Sequence, residues 1–377
     1  MDLEIKRINI SKGINLNIIC KEESKVNSLS VYFILPLDRK QVTANALLPL
    51  VLKMGTKELN TYLKTNEKLE GMQGLKLSTS VNKKGEKQVI RLTIEVPRNI
   101  NAKDQKYFLN AIIFLKQIIF ELYLEDRIFI SKHVENGKRN LNDLMEKRKK
   151  DMKHYSNHRC IEEMFKNERY SISPLGYSED LKDIDNNVLH KEYLRLLSKA
   201  PMEIFYVGQY ENYIEDYIKD IFKFDRNDIY VIERENITRK VQTKNMIYED
   251  MDIDENWLVI GYRTGILYEN PLYYGLLVAN QILGVGNGSK LYKYLKESKN
   301  LVYNIDSKVH KYKSFILIDS KIKVQNYEEI IIAIRNQINQ IKNGEFSKED
   351  IYASKKSIIN TIESIKDNNI LISEFFL

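Results

Sequence analysis

The feature that most limits the fold of this chain is an order of elements that occurs twice. In the first half, a strand from Ser30 to Leu37 leads into an apolar helical stretch from Ala46 to Leu52, closed by Gly55. A helix from Asn60 to Met72, a hairpin of Lys76 to Lys83 and Val89 to Val96 turning at Lys84-Gly85, and helices from Tyr107 to Leu124 and Ile130 to Phe165 follow. The second half repeats the series: a strand from Trp257 to Tyr262, helices from Pro271 to Leu283 and Ser289 to Glu297, then a hairpin of Val302 to Tyr312 and Ser314 to Ile322. Two further helices open at Asn326 and Ser347, each with an acidic residue three positions on, Glu329 and Asp350. The repeat predicts an α+β chain made by internal duplication of one unit, each copy a mostly antiparallel sheet covered by helices.

A hairpin turning at Lys12-Gly13 precedes the first copy, and a strand from Met202 to Val207 completes it. The charged stretch from Asp225 to Glu255 marks the expected boundary, giving domains 1–228 and 229–377. Setting the two hairpins against each other brings Leu377 opposite Met152, so the second copy is expected to be incomplete at its C-terminus, without a counterpart of Met202 to Val207. Leu371, Phe375 and Phe376 then fall where burial is hard to arrange.

Composition narrows the function classes. The net charge of +7 is a small difference between 59 basic and 52 acidic residues, not a basic stripe, so nucleic acid is not an expected partner. No apolar run reaches the length of a membrane span, and Met1 to Lys6 alternates in charge without an apolar core, so neither a membrane nor a secretory signal is expected. Cys20 and Cys160 form no Cys-x-x-Cys pair; two buried thiols in a cytoplasmic protein are the expectation. His154, His158 and Glu162 share one helical face at i, i+4 and i+8, a spacing that can hold a metal. They lie in a polar, charge-rich helix without a hydrophobic surround, where a solvated face is the simpler reading.

The ordered set of motifs resembles one family. The duplicated unit, Leu47-Leu48-Pro49-Leu50-Val51-Leu52-Lys53-Met54-Gly55-Thr56, the run Leu283-Gly284-Val285-Gly286-Asn287-Gly288-Ser289-Lys290-Leu291 and Asn300-Leu301-Val302-Tyr303 together resemble the insulinase/pitrilysin (inverzincin) zinc metallopeptidases. The resemblance covers essentially the whole chain. It implies a histidine, glutamate and histidine of an H-x-x-E-H motif at slots that here hold Ala46, Pro49 and Leu50, and a further carboxylate ligand near Asn142 or Asp143. A methyl, a pyrrolidine ring and an isobutyl group offer no lone pair to zinc and no base for water. Pro49 is also costly inside a helix unless it sits in the first turn. No metal is expected in this chain.

The resemblance also implies an arginine and, seven residues on, a tyrosine that stabilise the substrate carbonyl; the slots hold Lys296 and Tyr303. Lysine keeps the charge but loses the planar fork. The plainer reading, an exposed helix cation and a packing tyrosine, stays open. By this resemblance the chain is a catalytically inactive subunit of the non-catalytic type, binding unfolded peptide beside a homologous, zinc-bearing peptidase subunit. The alternative is a structural or peptide-binding assembly protein with no part in catalysis.

Overall fold

The computed structural model describes residues 3–72, 74–98, 104–235, 237, 241, 244–253, 256–323 and 326–377. In chain order the elements are β1 (Ile5–Ser11), β2 (Ile14–Cys20), β3 (Val26–Pro36), α1 (Val42–Leu52), α2 (Tyr62–Gly71), β4 (Lys76–Lys84), β5 (Lys87–Pro97) and α3 (Asp104–Phe120). The short pair β6 (Leu124–Glu125) and β7 (Ile128–Phe129) precedes α4 (Ser131–Lys150), α5 (Met152–Met164), α6 (Asn186–Lys199), β8 (Met202–Gly208) and α7 (Asn212–Phe222). The remainder comprises β9 (Asn256–Arg263), α8 (Leu272–Gly284), a π-helix (Tyr292–Ser298), β10 (Val302–His310), β11 (Phe315–Ile322), α9 (Tyr327–Lys342), α10 (Lys348–Ser364) and α11 (Asn369–Phe376).

The chain forms two compact units, one of Met1–Met145, Ile172–Glu233 and Glu363–Leu377, the other of Glu146–Ser171 and Arg234–Ile362. They are therefore not the contiguous pieces 1–228 and 229–377. The charged stretch Asp225 to Glu255 falls partly outside the described residues. The first unit holds a six-stranded sheet in the order β1-β2-β8-β3-β5-β4, antiparallel except for β2 beside β8. The second holds three antiparallel strands, β10-β11-β9, the same order as β4-β5-β3 in the first.

Strand periodicity explains why the segments are distributed in this way. On β3, Leu29, Val31, Phe33 and Leu35 point into the main core beneath α1 and α3, while Tyr32 points to the other face. On β8, Met202, Ile204 and Tyr206 join the main core, and Phe205 and Val207 the opposite face. A strand apolar on both faces must be covered twice. The second cover in the first unit is α11, whose Ile372 is buried against Ile19, Tyr32, Val89, Phe205 and Val207. Polar contacts fix it there: Tyr32 Oη and Ser373 Oγ lie 2.6 Å apart, and Arg91 pairs with Glu374 at 2.9 Å. Phe376 also packs into this layer, whereas Leu371 and Phe375 remain exposed.

In the second unit Ile318 and Ile322 of β11 face α8 and α9, while Phe315 and Leu317 face α5. The single helix expected from Ile130 to Phe165 is in fact two. Asp151 adopts an extended conformation and its carboxylate accepts the His154 N–H at 3.0 Å, capping α5 and separating it from α4. α5 then lies on β9, with Cys160, Ile161 and Met164 against Phe165, Phe315 and Leu317, so it has the apolar surround that its composition did not suggest. Gly261 on β9 makes room, since a Cβ there would meet Met164 Sδ at 2.6 Å. Cys160 is half-buried, but Cys20, the last residue of β2, is exposed rather than buried. The capping box at Ser347 forms in both directions, to Asp350 at 2.9 and 3.0 Å, whereas the Asn326 side chain makes no cap bond.

Beside α5, Glu168 receives two cations: Arg263 at 2.5 Å and Lys313 at 2.6 Å, the latter with a 0% exposed side chain. Removing the one carboxylate takes their shared anionic partner from both charges, that of Lys313 fully buried. Glu168→Gln is expected to destabilise the second unit by about 3–5 kcal/mol, measured as a lower urea midpoint for its transition.

In the first unit Glu215 of α7 binds Lys219 and, from β1, Lys6, each at 2.5 Å. The Lys219 hydrogen bond, then that of Lys6, holds its carboxyl down at about 2, below its ordinary 4.5. A depressed carboxyl stabilises the fold above its unfolded value and loses that contribution as pH falls through its folded value. Glu215→Gln should thus lower the urea midpoint at pH 7, and the difference from wild type should shrink between pH 4.5 and about 2 and vanish below it.

Candidate functional site

The helix that carries the degenerate motif is among the most buried in the chain. On α1 Ala46 is 1% exposed, Pro49 is buried and Leu50 is half-buried. Spaced at i, i+3 and i+4, they share a face, as metal ligands would. None carries a donor atom, so this face does not fit zinc.

The neighbouring helix closes over α1. Gly137 of α4 lies so near that a Cβ there would meet Val51 Cγ2 at 2.6 Å and Leu47 Cδ1 at 3.0 Å. Asn45, also buried, donates to Gln88 Oε1 at 2.9 Å and accepts from Arg195 Nη2 at 2.7 Å. Its surroundings are thus a satisfied polar network and a packed apolar core.

Two expectations about this helix change. Because α1 begins at Val42, Pro49 lies inside it, in the last turn rather than the first, and leaves the Asn45 carbonyl without its helical donor. Gly55 does not terminate the helix by a left-handed turn. Lys53 caps it, and Gly55 is small because Leu59 O would lie 3.0 Å from a Cβ there.

No other group supplies the missing ligands. Asn142 and Asp143 lie on α4, Asp143 exposed. On α5 the rings of His154 and His158 stack 6.3 Å apart, and His158 Nδ1 lies 3.3 Å from Glu162 Oε1. Glu162 is already held by Arg159 at 2.6 Å, which also binds Glu249. Burial, then the neighbouring Arg148, lowers the His154 imidazole below its usual range. The face is an ion-pair network that ties residues near Glu249 to α5. Among the described residues no group of three His, Cys, Asp or Glu side chains has a metal-binding arrangement.

The second pair of slots is brought together. Lys296 stands on the π-helix, whose wide turn shows in the bonds from Lys299 N to Tyr294 O and from Leu301 N to Leu295 O. Such turns insert an extra residue and re-aim the side chains that follow. Asn300 then turns the chain with φ +49°, in the left-handed region. Tyr303 follows as the extra residue of a β-bulge, since Val302 pairs with Ile322 and Asn304 with Lys321. The two irregularities leave Tyr303 53% exposed, with Lys296 Nζ 5.9 Å from its ring centroid.

Lys321 and Lys323 also reach this ring, at 5.6 and 5.9 Å. Sequence reading passed over both. Their spacing at i and i+2, Lys321 on β11 and Lys323 just past its end, was the available signal. The bulge and the π-helix have no signature of that kind.

Comparison with known proteins finds relatives of the chain by sequence and by fold. A family model described as the Peptidase M16 inactive domain matches residues 183–358. Over 365 residues the chain is 33% identical to "Probable inactive metalloprotease YmfF" of Bacillus subtilis (strain 168), covering 96% of this chain and 85% of that protein. Among solved structures, a conserved protein from Enterococcus faecalis V583 matches with a TM-score of 0.87 at 22% identity, over 99% of this chain and 88% of that one. A peptidase M16 inactive domain from Pseudomonas fluorescens matches with a TM-score of 0.75 at 14% identity, over 95% and 84%. At these identities the solved structures speak to the fold alone. No helix among the described residues is long and apolar enough to cross a membrane.

The turn at Asn300 sets the geometry of the pair. Asn300→Gly should leave thermal stability nearly unchanged, whereas Asn300→Val, strained at positive φ, should cost about 1–2 kcal/mol by thermal or urea unfolding.

Proposed function

The chain belongs to the peptidase M16 (insulinase) family and is non-catalytic on its own, and from that premise we propose that it is the substrate-binding subunit of a two-chain peptidase. In this reading the homologous partner holds the zinc, and this chain contributes Lys296 and Tyr303 against the bound peptide. One contrast carries the reading. The motif slots Ala46 and Pro49 are buried in packed core and Leu50 is half-buried against it, while Tyr303 stays exposed at the end of two backbone irregularities. Irregular backbone that exposes a polar ring costs stability, and a protein kept only as a scaffold would gain by losing it.

β10, which carries Tyr303, is an edge of the three-stranded sheet. An unfolded peptide adding to that edge as a further strand would take its affinity from main-chain hydrogen bonds and pass the tyrosine hydroxyl. Lys296, close to the ring, supplies positive charge to an oxygen placed there.

The test uses the complex. Tyr303→Phe in this chain should lower kcat of the assembled peptidase by roughly tenfold or more, with the assembly unchanged in size. Elemental analysis should find zinc in the complex and none in stoichiometric amount in the isolated chain. An unchanged kcat favours a purely structural assembly protein. Stoichiometric zinc or peptidase activity in the isolated chain would overturn both readings.

A further inference from the structure

What Tyr303 can reach depends on where the bulge in β10 falls. Val302 and Ile305, 0% and 6% exposed, both belong to the core under α8 and α9, and the residues opposite them on β11, Ile322 and Ser320, lie on that same face. Strand alternation puts residues three apart on opposite faces, so the chain between these two anchors has to hold one residue too many. The core therefore requires a bulge. Tyr303 and Asn304 both lie between the anchors, and the core is satisfied whichever of the two is the extra residue.

Asn304 settles the choice. It is the residue opposite Lys321, and its side-chain Oδ1 accepts the Lys321 backbone N–H at 2.9 Å. Its own carbonyl accepts from Ser320 Oγ at 2.6 Å, the hydroxyl of a residue 1% exposed. Both bonds cross from β10 to β11 at the bulge. The chain is held before Tyr303 as well, where the Leu301 N–H reaches Leu295 O at 2.8 Å and the Asn300 carbonyl accepts from Lys323 Nζ at 2.9 Å.

Any residue at position 304 brings a carbonyl for Ser320, so only the bond to the Lys321 N–H depends on the side chain. Asparagine is depleted in strands, where it packs poorly. Here its carboxamide gives a main-chain donor an acceptor at the point where a bulge disrupts the ladder. A tyrosine in that place cannot do the same, because its ring carries the oxygen far beyond the N–H directly opposite its own backbone.

We propose that Asn304 is the positioning residue of the Lys296 and Tyr303 pair: by taking the place opposite Lys321 it leaves Tyr303 as the extra, exposed residue. In the other arrangement Tyr303 stands opposite Lys321, with its ring along the sheet face that carries Phe315 and Leu317. The consequence for turnover rests on the role proposed above for Tyr303, whereas the placement of the ring does not.

Nitration of the intact chain with tetranitromethane, followed by peptide mass spectrometry, reads Tyr303 against Tyr352, which is 72% exposed on α10. In Asn304→Ala the ratio of Tyr303 to Tyr352 nitration should fall about threefold, as a population moved largely to the other bulge position requires, while Asn304→Asp, which keeps an acceptor oxygen at the same reach, should stay within about 1.5-fold of wild type. Asn304→Val, a residue at home in strands, carries the same expectation as alanine should the alanine chain fail to fold. In the assembled complex Asn304→Ala should lower kcat by about tenfold and lower it no further where Tyr303 is already phenylalanine.

A ratio that does not fall in Asn304→Ala, or that falls equally in Asn304→Asp, overturns the positioning role and leaves the reading of Tyr303 standing. A loss of kcat that adds in full to that of Tyr303→Phe overturns it too, since Asn304 then acts elsewhere. If the ratio falls as expected and Tyr303→Phe leaves kcat unchanged, the placement of the ring stands and its part in catalysis falls.

Discussion

The six-stranded and the three-stranded sheet both carry large apolar side chains on both faces, and much of the architecture follows from the need to cover them twice. The first cover is local in sequence: α1 and α3 lie over the six-stranded sheet, α8 and α9 over the three-stranded one. The second cover is a single helix, α11 in the first unit and α5 in the second. Each follows the second of the two long helices that come after the hairpin, α4 after α3 or α10 after α9, and so holds the same place in the repeated order. Each is assigned to the unit that did not supply the strands before it. A chain read as two consecutive beads does not anticipate this, since backbone continuity would keep α5 with the first unit and α11 with the second.

Burial also explains what became of the metal-motif helix. A zinc site needs donor atoms in a polar, accessible surround. Here Ala46 and Pro49 are buried, Gly137 lets α4 approach α1 closely, and Asn45 is tied to Gln88 and Arg195. The packing that replaced the ligands contributes to the core of the first unit. Pro49, inside the helix, is tolerated because only three residues of α1 follow it, so the single lost hydrogen bond comes where the helix is already ending. At Lys296 and Tyr303 the balance goes the other way. A π-helix, a left-handed asparagine and a bulge spend backbone hydrogen bonds to hold an aromatic ring at the surface among positive charges.

Much of the chain was legible before its structure. Periodicity placed the hairpins, α2, α8 and the starts of α9 and α10 within a residue or two, because alternation and the 3.6-residue repeat report directly which face is buried. It failed where local chemistry competes with long-range contact. Asp151 looked like one more charge in a polar helix until its cap to the His154 N–H divided that helix in two. α5 looked solvated because most of its residues are polar or charged, yet the narrow stripe of Cys160, Ile161 and Met164 suffices to seat it on β9. Cys20 looked like a core thiol and lies at the exposed end of its strand.

What the sequence by itself determined is the chemistry available at each motif slot. Ala46, Pro49 and Leu50 cannot bind zinc in any fold, because no arrangement in space gives a hydrocarbon side chain a lone pair. It also fixed the order of elements, since that depends on neighbours along the chain. The tertiary structure alone decided which residues surround Tyr303. Lys296 precedes it by seven positions, while Lys321 arrives from the far strand of a hairpin and Lys323 from just past that strand's end. Their convergence on one ring depends on strand register, shifted by a bulge, and on a π-turn. Both are set by the balance of packing and backbone hydrogen bonds across the whole unit, which no local stretch of sequence records.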